Sequence, residues 1–182
     1  MTTERQVVIN QVLAFPPGGF AGVFLAPAER KVFKLFKNYK HPDVSPERGV
    51  IEDELRRLVF EAERRAYEIA SADEELQQFI PVFYGSPKVS RVVALDGQDI
   101  TNHYLLDCCL ELQQLEGECV KFESIRCRFE PVEALFHRAG IRYTKDMSAF
   151  LEANGNGIKL IDFAIRDAYG ETEIQWINDG KI

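Results

Sequence analysis

One acidic residue, Asp162, follows a short apolar run near the end of the sequence and is a candidate metal ligand. The polar turn before Lys159–Phe163 and the apolar residues within that range predict a short strand. An aspartate at the mouth of a buried strand is held by its apolar neighbours, so its carboxylate can bind a metal ion against an anionic ligand such as a nucleotide phosphate. Aspartate in this position is also a common turn former, and the pattern alone leaves both interpretations open.

A lysine in a predicted strand and a glutamate on a predicted helix add two groups of opposite charge. Lys34 lies among apolar neighbours in the strand Lys31–Phe36, on the same face as Val32, and a lysine in that setting needs an anion. Glu63 lies on a long predicted helix, where one carboxylate can face the sheet. An ordinary structural ion pair would also explain these two residues. Three other lysines are interpreted as a solvated edge: Lys31, Lys37 and Lys40.

Strands that could position these groups are predicted from alternating apolar residues. An antiparallel meander of three strands is expected at Val7–Phe15, Val23–Ala26 and Lys31–Phe36. The ranges Val89–Leu95 and Tyr104–Leu112 predict a hairpin joined through Asp96-Gly97. The sequence therefore predicts five strands before residue 116.

Helical periodicity begins between the third and fourth of these strands. Apolar residues recur at three- and four-residue steps from Ile51 to Ile69, which predicts one long amphipathic helix. Its water-facing side is expected to contain Glu52, Arg56, Arg57, Arg64 and Glu68. Beyond residue 117 the chain is expected to be mainly helical, with a helix at Pro131–Ala139 that Gly140 ends.

The composition limits the class of protein. With 182 residues and 46% hydrophobic residues, the chain can form one domain or two small lobes around a core. A net charge of −7 argues against binding to nucleic acid or anionic lipid, and no apolar run is long enough to span a bilayer, so a cytoplasmic protein is expected. The spacing of the four cysteines and three histidines does not indicate a zinc site.

Several segments together resemble the protein-kinase fold, in which a strand lysine contacts nucleotide phosphates, a helix glutamate pairs with it and an aspartate holds magnesium. Pro17–Ala26 is similar to a glycine loop and its following strand, Leu112–Gly117 to an inter-lobe hinge, and His137–Ile141 to the approach to a catalytic loop. Lys34, Glu63 and Asp162 occur in the order that this family shows. The resemblance extends from about residue 7 to residue 165.

This resemblance implies an α+β, protein-kinase-like fold. It has a five-stranded antiparallel N-lobe with one long helix at residues 1–115 and a strongly reduced helical C-lobe at residues 116–182. It also implies a site for ATP and Mg²⁺, with Lys34 on the phosphates, Glu63 orienting Lys34, and Asp162 as the metal ligand. Residues expected to contact the nucleotide are Gly18, Gly19, Val23, Val32, Lys34, Leu112 and Gln114.

The chain departs from the family pattern at positions that phosphoryl transfer requires. Ala149 occupies the position of a second metal ligand, and an alanine methyl cannot coordinate a cation. Asp146 fits the catalytic base only if its loop shifts by one residue. In the glycine loop, Pro16 and Ala21 replace two usual glycines, which limits the approach of the backbone to phosphates.

These features predict a pseudokinase that acts through nucleotide binding and through a protein partner or a homodimer. One alternative is a minimal active protein kinase that uses Asp146 and Asp162. The other is an interaction protein that binds no nucleotide and whose pocket is filled by side chains.

Overall fold

The computed structural model of the chain describes residues 6–10, 19–44, 49–141, 147–151 and 157–163. Gly18 and Asp146 lie outside these ranges. The described residues contain two α-helices, α1 at Gly49–Ala72 and α2 at Arg126–Arg138, together with short 3-10 turns. The strands are β1 Gln6–Asn10, β2 Ala21–Ala26, β3 Lys31–Lys37, β4 Phe83–Gly85, β5 Lys88–Val93, β6 Tyr104–Gln113, β7 Glu118–Lys121, β8 Ser148–Leu151 and β9 Ile158–Ile161. The predicted α+β class is confirmed.

The fold has two compact units. The first takes the described residues up to Phe60 together with Tyr84–Gln114, and the second takes Glu61–Phe83 and the described residues from Leu115 onward. The helix α1 therefore supplies its first half to one unit and its second half to the other.

The first unit is built on a four-stranded sheet in the order β2-β3-β6-β4. Strands β2 and β3 pair antiparallel, as do β3 and β6. The two inner strands are rich in buried residues because apolar side chains occupy both of their faces, as in Leu35 and Phe36 or Cys109 and Leu110. The core of this unit contains Ile9, Phe24, Phe33, Leu35, Val89, Val92, Tyr104 and Cys109.

Two predicted strand pairings in this unit are wrong. The first strand does not join the meander, because β1 pairs in parallel with β5 to form a separate two-stranded sheet. The predicted hairpin of the fourth and fifth strands is also absent, because β6 pairs with β3 instead. The Asp96-Gly97 turn forms only a local loop, with hydrogen bonds from Gly97 N to the Ala94 oxygen and from Ile100 N to the Val92 oxygen. The predicted five-stranded antiparallel sheet is thus replaced by four strands and a parallel pair.

The second unit contains more strand than the sequence suggested. A three-stranded antiparallel sheet, β7-β8-β9, accompanies α2 and the second half of α1, so the part of this region that the structure describes is not mainly helical, contrary to the prediction. Gly140 follows α2 with a φ of 90° and donates to the His137 oxygen, as expected for a helix end. The helix starts before Pro131, and its backbone departs from helical geometry at Phe129, because a proline inside a helix lacks a donor and crowds the preceding turn.

The long helix α1 is confirmed, but part of its polar side is buried. Leu55, Val59 and Tyr67 have no exposed surface, in agreement with the apolar periodicity. Glu52 and Arg56, which were predicted to face water, are only 8% and 4% exposed. The two residues are one helical turn apart, and Arg56 Nη2 lies 2.9 Å from Glu52 Oε1. Burial of both charges is tolerated because each compensates the other.

Candidate functional site

A buried aromatic cluster fixes the position of Phe163, the residue after Asp162. The Tyr67 ring lies 4.5 Å from the Phe163 ring and 5.5 Å from the Phe83 ring, measured between centroids. Phe136 of α2 packs edge-on against Phe163 at 5.3 Å. Tyr67, Phe136 and Phe163 are fully buried. Because the phenylalanine is held on several sides, the backbone of Asp162 is held as well.

Asp162 has an unusual backbone conformation. Its φ is 60°, and among the described residues only one other non-glycine residue, Arg30, has a positive φ. Aspartate tolerates this left-handed region better than most residues, but the conformation persists only where the surroundings impose it. Here β9 ends immediately before Asp162 and the buried Phe163 follows it. Such a conformation at the end of a strand marks a candidate functional position.

Glu63 and Asp162 both belong to the second unit, as does the buried Tyr67. Glu63 is one turn before Tyr67 on α1 and has no exposed surface. Burial, followed by the charges of Glu63 and Asp162, raises the pKa of Tyr67 well above its usual value. Tyr67 therefore keeps its proton and remains a hydrogen-bond donor. The second unit thus contains two of the three charged residues singled out in the sequence.

Lys34 belongs to the first unit. It occupies the middle of β3, opposite Val23 of β2 on one side and Leu110 of β6 on the other. Its Nζ lies 5.9 Å from the centroid of the Phe36 ring. The side chain is half-buried among strands, which limits the number of conformations available to its ammonium group.

The other residues predicted to contact a nucleotide that the structure describes also lie in the first unit. Val32 of β3 is opposite Leu112 of β6, and Val23 is on β2. Gly19 is exposed and comes shortly before β2. Gln114 follows β6, where its N–H donates to the Arg30 oxygen at 2.8 Å. The side-chain Oε1 of Gln114 is buried and has no hydrogen-bond partner among the described residues.

Ala149 has a purely structural environment. It is the central part of β8, opposite Val120 of β7 and Leu160 of β9, and it has no exposed surface. A methyl group buried between two strands offers no oxygen to a cation. This surrounding is consistent with the loss of a second metal ligand.

Sequence analysis missed a buried arginine that holds the chain before β2. Arg56 Nη1 donates to the carbonyl oxygens of Gly19 and Phe20, each at 2.9 Å, while Nη2 pairs with Glu52. The available signal was the spacing of Glu52 and Arg56, which are one helical turn apart within an apolar stripe. The arginine fixes the end of the glycine segment on the first half of α1.

The lysines interpreted as a solvated edge are also placed differently. Lys37 is fully buried and its Nζ pairs with Asp43 Oδ2 at 2.8 Å. Lys31 Nζ pairs with Glu111 Oε1 at 2.8 Å, and that glutamate is 1% exposed. Only Lys40 of the three is exposed. The interpretation failed because strand lysines were assigned to solvent without regard to acidic partners distant in sequence.

The described residues contain no group of three or more His, Cys, Asp or Glu side chains that could hold a metal ion. A cation at Asp162 would therefore need oxygen atoms from its ligand or from water. No helix within the described ranges is long and apolar enough to cross a membrane. Comparison with protein-family models, with curated proteins and with solved structures gave no match.

Proposed function

We propose that this protein binds ATP with magnesium through a kinase-like arrangement of residues and has weak phosphoryl transfer or none. The observation that supports this proposal is that Glu63 lies one helical turn from the buried Tyr67, while Asp162 precedes Phe163, whose ring packs against Tyr67. Glu63 is fully buried on α1, and Asp162 follows β9 in a left-handed conformation. These are the two acidic residues to which the kinase resemblance assigns the lysine partner and the magnesium ligand.

Each charged residue has one role in the proposal. Lys34 contacts the phosphates, and Glu63 orients the Lys34 ammonium, because a buried carboxylate is stabilised by a positive charge. Asp162 holds the magnesium ion together with phosphate or water oxygens. When bound, the ion supplies positive charge against the nucleotide phosphates.

Weak phosphoryl transfer is expected because a metal-ligand position of the kinase pattern is replaced in this chain. Phosphoryl transfer depends on positioning and on stabilising negative charge, and two magnesium ligands from the protein do this better than one. Ala149 is buried in β8 and cannot act as the second. The protein is therefore proposed to act as a nucleotide-dependent binding protein that associates with a protein partner or with a second copy of this chain.

A thermal-shift titration with ATP and magnesium tests the proposal. We expect the wild-type melting temperature to rise at millimolar ligand, since a ligand that binds only the folded state stabilises it. Lys34→Ala and Asp162→Asn should each reduce this rise. Lys88→Ala is the matched control, because Lys88 is an exposed lysine in β5. Absence of any rise in the wild type, or an equal rise in the Lys34 variant, would contradict nucleotide binding.

A further inference from the structure

The side chain of His41 holds the segment at residues 38–44, which follows β3, against the start of β6. Its Nε2 lies 3.3 Å from the hydroxyl of Tyr104, and the two rings pack edge-on at 5.3 Å between centroids. The other ring nitrogen, Nδ1, accepts a hydrogen bond of 3.1 Å from the backbone N–H of Asp43. Both ring nitrogens therefore have partners, and the side chain of His41 is only 11% exposed.

These contacts determine which ring nitrogen of His41 carries the proton. Because a backbone N–H can only donate, Nδ1 must be unprotonated for the hydrogen bond from Asp43 to exist. The neutral ring then has its proton on Nε2, which donates to the hydroxyl oxygen of Tyr104. A proton on Nδ1 would place two donors face to face and break the bond from Asp43, while Nε2 would remain a donor. Nδ1 is thus the atom at which this contact responds to pH.

The charged groups around the ring oppose a second proton, with the exception of Asp43. Asp43 Oδ2 is 3.7 Å from His41 Nδ1, but the same oxygen pairs with Nζ of the buried Lys37 of β3 at 2.8 Å. The His103 ring lies 5.9 Å from the His41 ring, and its charge and that of Arg56 on α1 act in the same direction as that of Lys37. Burial, followed by Lys37, lowers the pKa of His41 from 6.5 to about 4.

The rest of segment 38–44 buries little apolar surface. Val44 is its one buried apolar residue, and the core of the first unit contains none of residues 38–44. Asn38 fixes the beginning of the segment, because its N donates to the His103 oxygen at 2.9 Å and its Nδ2 to the Asn102 oxygen at 2.8 Å. Segments with few buried apolar contacts open locally, at a lower free energy than the whole domain. Residues 41–44 are therefore the part of the segment that can open while the sheet persists.

We propose that His41 is a pH-sensitive switch, and that protonation of its Nδ1 releases residues 41–44 from β6 while the four-stranded sheet remains folded. The proton comes from solvent, and no covalent bond of the chain changes. The pair of Lys37 and Asp43 resists release, and this resistance persists in mild acid because the bond with Lys37 lowers the pKa of Asp43. The inference goes beyond the proposed function and does not depend on nucleotide binding.

Hydrogen exchange of the native protein at pH 7 and pH 5, corrected for intrinsic rates, tests the switch. From the two pKa values of His41, we expect the amides of Asp43 and Val44 to lose protection roughly twentyfold between these pH values. Their exchange should not depend on low concentrations of urea, because local opening exposes little surface. Leu110 in β6 should stay more protected and respond to urea. Equal protection and equal urea dependence of Val44 and Leu110 at pH 5 would contradict the proposal.

Two substitutions separate the roles of the ring nitrogens. His41→Asn keeps a side-chain acceptor and cannot titrate, so the protection of Val44 should no longer depend on the change from pH 7 to pH 5. Tyr104→Phe removes the partner of Nε2 and leaves Nδ1 unchanged, so protection should fall at both pH values with the same ratio between them. A pH response that survives in the His41 variant would assign the opening to another group.

His103→Gln is the matched control, because His103 is the other histidine ring in this cluster. We expect this variant to keep the pH response of the wild type, and loss of the response would transfer the role from His41 to His103.

The ¹⁵N chemical shifts of the His41 ring test the geometry without any substitution. We expect the ring to be neutral at pH 7, with its proton on Nε2. A proton on Nδ1 at pH 7 would refute the hydrogen bond from Asp43 on which the switch depends.

Discussion

Several ionisable side chains of this protein are buried, among them Lys37, which was predicted to face solvent. Glu63 and Lys37 have no exposed surface, and Glu111 has 1%. Removing one member of a buried pair leaves an uncompensated charge and costs about 3–5 kcal/mol. Structural pairs such as Lys37–Asp43 show that burial alone does not identify a functional residue. Glu63 differs because it is one helical turn from Tyr67, a buried residue whose hydroxyl has no hydrogen-bond partner among the described residues.

His41 is predicted to make stability depend on pH. Burial, followed by the charge of Lys37, lowers the pKa of His41 from 6.5 to about 4, although Asp43 opposes this shift. Its Nδ1 accepts a hydrogen bond from Asp43 N, and its ring packs against His103 and Tyr104. The folded state thus prefers the neutral ring. The stabilising contribution is fully present above about pH 6.5 and is lost as the pH falls towards 4.

Urea unfolding between pH 7.5 and pH 4.5 measures this dependence. We expect His41→Gln to reduce the fall in unfolding free energy with decreasing pH, because the titrating ring is gone. His137→Gln provides the comparison, since His137 is exposed on α2. An unchanged pH profile in the His41 variant would show that other groups cause the acid sensitivity.

Among the turns, Gly117 has the strictest steric requirement in the described residues. Its φ is 121°, and a Cβ at this position would overlap the carbonyl oxygen of Leu151. Gly97 also has a positive φ, of 85°, but a Cβ there would meet no atom within 4 Å. Both glycines therefore have a positive φ that favours glycine, but only Gly117 also lacks space for a side chain.

We expect Gly117→Ala to destabilise the protein more than Gly97→Ala. The Gly97 variant should lose about 1 kcal/mol from backbone strain, while the Gly117 variant should lose at least about 2–3 kcal/mol, because the end of β8 must also shift. Chemical denaturation of both variants under the same conditions measures the difference. Equal losses would mean that the chain near Leu151 adapts without cost.

The elements that the sequence predicted well are those specified by local patterns. The helix α1 has a long apolar period, and the antiparallel pair β2 and β3 follows from two short alternating runs. The pairing of β1 with β5 joins residues about eighty positions apart, and no local pattern encodes that choice of partner. Strand β7 has mostly exposed side chains, so its apolar signal was too weak to predict a strand.

The charged residues of the candidate site could be predicted from the sequence, whereas the side chains that surround them could not. Glu63 and Asp162 were chosen because a carboxylate on a helix and one at a strand end suit phosphate and metal chemistry. The hydroxyl of Tyr67 could not be recognised from the sequence, because a tyrosine on an apolar stripe reads as core. The anchoring role of Arg56 was hidden for the opposite reason, since its charge suggested solvent.

At the scale of the whole molecule, one continuous helix contributes to both compact units. Leu55 and Val59 are buried in the half of α1 that belongs to the first unit, and Tyr67 and Ala70 in the half that belongs to the second. Each unit needs its half of α1 to complete its core. A break in the middle of α1 should therefore weaken both units, even though their sheets are separate.

The substitution Glu61→Pro tests this dependence, with Glu61→Ala as its control. Glu61 is exposed in the middle of α1, so no buried contact is removed, but proline there deletes a helix hydrogen bond and costs about 3 kcal/mol or more. We expect hydrogen exchange to accelerate both in β6 of the first unit and in β8 of the second. A break at residue 61 would weaken the packing of each half of α1 against the core of its own unit. Faster exchange in only one of the two strands would show that the units complete their cores independently.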